Sequence, residues 1–229
     1  GVSRLMGRTR MEERYLLTSG ASAGLAAAFN APLAGVIFAL EELHRNFSIM
    51  VLLPSMAAAF TATIISRAIF GRATIFDIPD LQLLPIGYYG IVILVALASG
   101  LAGVIFNWGL LNIGRFYSLP CFKRPVQKIA FALICAGILG YFLPEVLGGG
   151  NNLINHLAKA PVSLQLLLLF LAGKLIFTLI SYGCGVPGGF FLPMLVIGAL
   201  CGSICAQILI MLGWIEPAYA TNIMVVAMA

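Results

Sequence analysis

The sequence predicts an all-α integral membrane protein that crosses the bilayer several times, and two observations support this. Of its 229 residues, 61% are hydrophobic and only 9% are charged, whereas an average soluble domain carries about 25% charged residues. Residues 85–114, 129–144 and 175–215 contain no charge at all, and about 20 apolar residues suffice for one crossing. A soluble protein so poor in charge could hardly cover its own surface.

The first half of the chain begins with an interrupted apolar stretch. Residues 1–15 are basic and predict the end of one element followed by a loop. The next stretch is broken at Asn30-Ala31-Pro32, and proline ends helices because it lacks an N-H group and restricts the residue before it. We therefore expect two short helices, 15–29 and 32–43, that enter the membrane and return. Residues 48–70 are long enough for a full crossing.

The second half alternates long apolar helices with glycine-rich breaks. The expected elements are a long tilted helix at 86–114, a helix at 129–143, a glycine turn at 148–150, a short segment to 159, helices at 164–182 and 190–212, and another crossing after Pro217. Unequal and broken helices are typical of transporters that bind ions near the middle of the membrane. The chain does not begin with Met and ends inside an apolar run, which predicts a fragment of a longer protein.

The basic residues that give the net charge of +5 are distributed as signals of membrane topology rather than as a nucleic-acid-binding surface. Nine of the thirteen Lys and Arg residues lie in three stretches, 1–15, 41–47 and 115–128. If these face the cytoplasm, the distribution follows the positive-inside rule. The five cysteines form no C-x-x-C pair, so the sequence indicates no metal site, no disulfide framework and no cofactor. The sequence shows neither a catalytic nucleophile nor a metal-binding constellation, so nothing in it indicates an enzyme.

The segment Gly185-Val-Pro-Gly-Gly-Phe-Phe-Leu-Pro193 separates two apolar helices. Glycines allow a close approach of the backbone, and the following helix would direct the positive end of its dipole at what lies before it. These residues therefore fit an anion cradle. They fit a simple Gly-Pro kink between two helices as well, and spacing alone leaves both readings open.

Three further features carry polar groups or small residues. The pair Glu41-Glu42 ends an apolar helix. It either marks the water interface or places one carboxylate toward the interior, since neighbouring α-helical positions point about 100° apart. Lys174 lies within an apolar helix and must snorkel, pair with an acid or help attract an anion. Small residues at 20–28 and around Gly198 and Gly202 predict close helix contacts.

Together these motifs resemble the CLC family of chloride channels and chloride/proton exchangers. The stretch Gly20 to Glu42 resembles the family's two short helices that end in paired glutamates. Gly189-Phe-Phe-Leu-Pro193 matches its G-x-F-x-P motif, and Gly148-Gly-Gly-Asn-Asn-Leu-Ile154 resembles its glycine turn. The resemblance covers the whole chain, 1–229, as a partial transmembrane domain. The family's serine motif and gating glutamate would precede Gly1, and its ion-coordinating tyrosine would follow Ala229.

The resemblance implies functional roles for particular residues. Gly189, Phe190 and Phe191 would form part of the chloride site through backbone N-H groups, Glu42 would transfer protons, and Glu41 would lie near the cytoplasmic water entry. It implies a homodimer in the bilayer of a prokaryotic cell that moves chloride and protons. A passive chloride channel of the same family, a fluoride-selective relative and a structural membrane subunit without transport remain alternatives.

Overall fold

A computed structural model describes Gly7, residues 9–45, 47–71, 76, 78, 81–160, 162–186 and 188–229. Within these residues the chain is helical and contains no strand, as the sequence predicts. It divides into two compact units, Gly1–Ile75 and Phe76–Ala229. Arg4 and Arg8 of the basic stretch and Pro187 of the glycine-rich segment lie outside the described residues.

The described residues of the first unit form four helical segments: α1 (Arg10–Phe29), α2 (Pro32–Phe38), a π-helical segment (Ala39–His44) and α3 (Ile49–Phe70). Thr9 begins α1 through a capping box with Glu12, in which each side chain binds the other residue's backbone N-H group. Such a cap satisfies donors that have no partner inside the helix. Asn30 ends α1 in the left-handed conformation, at φ 55°.

Two expectations for this unit need correction. The first helix begins at Arg10 rather than residue 15, because the Thr9 cap lies within the predicted basic loop. The helix expected at 32–43 is α-helical only to Phe38 and then widens into the π-helical segment. The 100° spacing assumed for Glu41 and Glu42 therefore does not apply, because a π-helix bonds residues five apart instead of four.

Close contacts in the first unit involve Ser22 and Ala26, two members of the small-residue run predicted at 20–28. A Cβ atom at Gly35 of α2 would lie 2.8 Å from the backbone nitrogen of Ala26 in α1. Ser22 is fully buried, and its hydroxyl donates to the carbonyl oxygen of Ser55 in α3 at 3.3 Å. A Cβ atom at Gly20 or Gly24 would meet nothing within 4 Å. The close contacts predicted for the run 20–28 are therefore confirmed at Ser22 and Ala26, while Gly20 and Gly24 make none with the described residues.

In the second unit the described residues form six further α-helices. They are α4 (Tyr89–Phe116), α5 (Pro125–Phe142), α6 (Asn151–Lys159), α7 (Leu164–Gly183), α8 (Phe191–Met211) and α9 (Ala220–Met228). Most boundaries lie within a few residues of the predictions. Across the described residues, five helices are long and apolar enough to cross a membrane: α3, α4 with the 3₁₀ turn before it, α5, α7 and α8.

Helix α8 forms the centre of the second unit. Its buried residues pack against α7, α6 and α9 in one apolar cluster. Gly198 and Gly202 face α9 so closely that added Cβ atoms would lie 2.6 Å from the carbonyl oxygen of Ala227 and 2.7 Å from Cα of Met224, respectively. The predicted role of these two glycines in helix packing is confirmed.

Candidate anion site and paired glutamates

The loop between α7 and α8 brings backbone rather than charged side chains to the start of a helix. Gly185 adopts φ +83°, a conformation that favours glycine. Phe190 caps α8, and the first hydrogen bond of that helix runs from the N-H group of Met194 to the carbonyl oxygen of Phe190. The positive end of the α8 dipole is therefore directed at Gly189, Phe190 and Phe191.

Gly189 and Phe190 border a cavity of about 440 Å³, whereas Phe191, the first residue of α8, is not among its lining residues. Its wall comes from α5, α7, the glycine turn and the loop before α8, and most of it is apolar. The cavity-lining residues that carry polar side chains are Thr178, Ser181, Tyr182 and Cys184, while Gly148, Gly188 and Gly189 contribute backbone. An apolar cavity with a few convergent polar groups is the usual form of a small-ligand site.

Lys174 donates hydrogen bonds to the glycine turn and the residues just before it, and Gly148 of that turn lines the cavity. Its side chain is 0% exposed, and its Nζ atom donates to the carbonyl oxygens of Val146 at 2.9 Å and Gly148 at 2.7 Å. Among the residues that the structure describes, no carboxylate pairs with it. The expectation that Lys174 snorkels or pairs with an acid is therefore wrong for the described part of the chain, because the turn supplies two carbonyl dipoles within reach.

The glycines of the turn make this arrangement possible. Gly148 and Gly150 adopt φ values of +66° and +90°. A Cβ atom at Gly150 would lie 2.6 Å from Val196 of α8 and 3.3 Å from the Lys174 ammonium. A Cβ atom at Gly149 would lie 3.2 Å from Leu192, which belongs to the first turn of α8. The turn thus contacts both the buried ammonium and the helix start that borders the cavity.

Tyr117 was not among the residues that the sequence predicted for the site. Its hydroxyl donates to the carbonyl oxygen of Ile180 at 2.8 Å, one of the last carbonyls of α7, which have no partner inside their helix. Its ring lies against Gly183, where a Cβ atom would come within 2.6 Å. Burial raises the pKa of Tyr117 to about 12, with smaller contributions from Cys184 and Cys135. The hydroxyl therefore remains a donor at neutral pH.

The paired glutamates lie in the first unit, on the π-helical segment. Both Glu41 and Glu42 are exposed in this chain. The segment is held against α1 by His44, whose Nδ1 atom lies 3.4 Å from the hydroxyl oxygen of Thr18 and whose ring lies 5.7 Å from that of Tyr15. Single π-helical turns within α-helices often occur at functional sites. The roles assigned to Glu41 and Glu42 stay predictions.

The predicted site residues thus fall into two groups, each described by itself. Gly189 and Phe190 line the cavity of the second unit and Phe191 begins α8 beside them. Glu41 and Glu42 belong to the first unit. Five candidate crossings among the described residues define the class: a multi-pass membrane protein with short broken helices.

The chain belongs to the voltage-gated chloride channel family, whose model matches residues 1–229. It is 37% identical over 204 residues to H(+)/Cl(-) exchange transporter ClcA of Citrobacter koseri, covering 86% of this chain and 42% of that protein. The same identity and coverage hold for ClcA of Salmonella agona. The family that the motifs indicated is therefore confirmed.

A solved structure supports the same fold. The chain resembles the crystal structure of a slow cyanobacterial Cl-/H+ antiporter, with a TM-score of 0.80 and 30% identity, over 96% of this chain and 53% of that one. The chain spans about half the length of its relatives or less. The fold and the bacterial relatives identify it as a multi-pass integral membrane protein of a prokaryotic membrane.

Proposed function

We propose that the full-length protein carries chloride across the membrane in exchange for protons. The observation that carries the proposal is the cavity of about 440 Å³ beside the start of α8. Its wall combines glycine backbone, a helix dipole and a few hydroxyl groups, which can bind an anion. The relatives, named as exchangers of H+ and Cl-, support the choice of ions.

Chloride would be held by fractional rather than full positive charges. Gly189, Phe190 and Phe191 would direct backbone N-H groups at the ion, and the α8 dipole would add partial positive charge. Such groups replace part of the hydration shell without forming an ion pair. Binding is then favourable enough for entry and weak enough for release, which conduction requires.

Protons would follow a separate path that begins at the paired glutamates. The family resemblance assigns proton transfer to Glu42 and a place near the water entry to Glu41. Both carboxylates are exposed on a π-helical segment, where they can exchange protons with water. A proton held by Glu42 would pass to a gating glutamate that precedes this segment in the family, and competition of that carboxylate with chloride would couple the two ions.

The proposal includes a homodimer in the lipid bilayer, with one pore in each subunit, and it assigns transport rather than catalysis. A passive chloride channel is the second candidate, because the family is described as one of voltage-gated channels. The two candidates differ in one respect. Only an exchanger couples the chloride flux to a proton gradient.

Reversal potentials distinguish the two. The full-length protein would be reconstituted in liposomes under a chloride gradient, with and without a pH gradient. We expect the reversal potential of the wild type to shift with the pH gradient, and that of Glu42→Ala to follow chloride alone. The matched control is Glu216→Ala, which removes an exposed carboxylate elsewhere in the chain and should behave as the wild type.

Each other outcome has a definite meaning. A wild-type potential that ignores pH replaces the exchanger with the channel. Coupling that survives in Glu42→Ala refutes the role of that residue. No chloride flux in any variant refutes transport itself.

A further inference from the structure

We propose that the linker between α4 and α5, residues 115–128, binds the headgroups of anionic phospholipids in the leaflet that it faces. This inference goes beyond the proposed exchange of chloride for protons and does not depend on it. Both flanking helices are candidate membrane crossings, so the linker lies where they leave the hydrocarbon, at the level of the headgroups. It contains no Asp or Glu and four basic residues: Arg115, Lys123, Arg124 and Lys128.

The charges of this linker are not neutralised by the protein. Arg115, Lys123 and Arg124 are exposed, and Lys128 is partly exposed. Among the residues that the structure describes, none of the four pairs with a carboxylate. The Nζ atom of Lys128 lies 5.9 Å from the centroid of the Tyr117 ring, a contact that leaves the charge of the ammonium in place. The linker therefore presents net positive charge to its surroundings.

The dipole of α5 adds to this positive charge instead of offsetting it. Lys123, Arg124 and Lys128 lie at the start of that helix, which begins at Pro125. Cations are stabilised at the C-terminal end of a helix, whereas anions are stabilised at the N-terminal end. The positive-inside rule accounts for the membrane face of these residues but does not require them at this end of a helix. An anion bound here would relieve the repulsion.

A cluster of aromatic rings holds the linker in a defined shape. The ring of Phe122, in the middle of the linker, lies 5.5 Å from that of Phe116, 5.0 Å from that of Tyr117 and 5.3 Å from that of Phe131. These contacts tie the linker to the end of α4 and to the beginning of α5. Aromatic residues are common at the headgroup level of membrane proteins. The basic side chains thus extend from an ordered support.

Apolar side chains beside the charges favour a lipid over a soluble anion. Leu119 is 48% exposed and Val126 is 73% exposed, and both lie within the same linker. A soluble phosphate would contact the basic groups alone. A phospholipid can place its phosphate among the basic groups and its acyl chains against the apolar ones. Basic segments next to membrane crossings attract anionic lipids in this way.

The test measures lipid binding to the full-length protein in detergent by native mass spectrometry at constant ionic strength. The probes are phosphatidylglycerol, which is anionic, and phosphatidylcholine with the same acyl chains, which has no net charge. In Lys123→Gln/Arg124→Gln we expect the dissociation constant for phosphatidylglycerol to rise about thirtyfold, because each basic residue near an anionic headgroup contributes about 1 kcal/mol. The affinity for phosphatidylcholine should stay unchanged.

The matched control is Arg10→Gln/Arg14→Gln. It removes two exposed arginines from the basic stretch that is predicted on the same membrane face, where Glu12 and Glu13 accompany them. The control should bind phosphatidylglycerol as the wild type does. Inorganic phosphate at the same concentration should leave the bound phosphatidylglycerol in place, because it lacks acyl chains.

Each other result overturns the inference. Equal affinity of Lys123→Gln/Arg124→Gln and the wild type for phosphatidylglycerol would refute the binding surface. An equal loss in the control would show a general attraction between basic residues and lipid rather than a site in the linker. Displacement by inorganic phosphate would show a soluble-anion site. If the double variant fails to fold, Lys123→Gln alone decides, since a rise of about fivefold is expected and an unchanged constant refutes the surface. None of these results bears on chloride transport.

Discussion

Replacing Gly202 by alanine tests whether α8 and α9 touch through their backbones. The added Cβ atom would lie 2.7 Å from both Cα of Met224 and Cβ of Ala227, and 2.9 Å from the carbonyl oxygen of Ile223. Carbon atoms prefer separations of about 3.5 to 4.0 Å. The two helices would have to move apart by roughly 1 Å, and overpacking of this kind costs about 1 to 3 kcal/mol.

The assay is the thermal stability of the full-length protein in detergent, followed by the loss of the monodisperse peak in size-exclusion chromatography. A change of 1 kcal/mol moves the midpoint by about 2 to 4 °C in a domain of about 150 to 250 residues and by less in a longer protein. We therefore expect Gly202→Ala to melt lower, by at most roughly 12 °C. Gly202→Val should melt lower still, because its side chain adds two more carbon atoms at the contact.

The matched control is Gly137→Ala in α5, where a Cβ atom meets nothing within 4 Å. There alanine should leave the midpoint unchanged or raise it slightly, since glycine weakens a helix by about 0.5 to 1 kcal/mol relative to alanine. If Gly202→Ala melts at the wild-type temperature while Gly137→Ala behaves as expected, the close contact between α8 and α9 is refuted.

Two further substitutions test contacts elsewhere in the chain. Gly35→Ala should destabilise the protein by about 1 to 3 kcal/mol, because its Cβ atom would approach the α1 backbone, and an unchanged thermal midpoint would contradict that contact. Tyr117→Phe should cost about 1 kcal/mol by removing the hydrogen bond to Ile180, whereas the exposed Tyr141→Phe should have no effect. The pKa of Tyr117 is raised from 10.0 to about 12 in the folded state, so the stability that its hydroxyl contributes is complete below pH 10 and is lost as the pH rises toward 12. Tyr117→Phe should therefore lose the same stability at pH 6 and at pH 9. A loss of stability that differs between those two pH values would contradict this reasoning.

The sequence alone determined the positions of the helices and the family. Apolar runs, charged ends and prolines are local signals, which is why the crossing predicted at 48–70 corresponds to α3 at Ile49–Phe70. The motif residues Gly189 to Phe191 are predictable as a helix start from their own composition, because glycine and proline mark breaks by their backbone chemistry. The roles of Glu41 and Glu42 come from the family resemblance.

Tertiary structure decided which distant residues meet. The partners of Lys174 lie 26 and 28 positions earlier in the chain, and Tyr117 lies 63 positions before its acceptor, so no periodic pattern could connect them. The π-helical conformation of the segment that contains the two glutamates could not be predicted from the sequence either, because its composition also suits an α-helix. Local propensity fixes where a helix forms, whereas buried polar groups take the partners that the folded chain brings within hydrogen-bond distance.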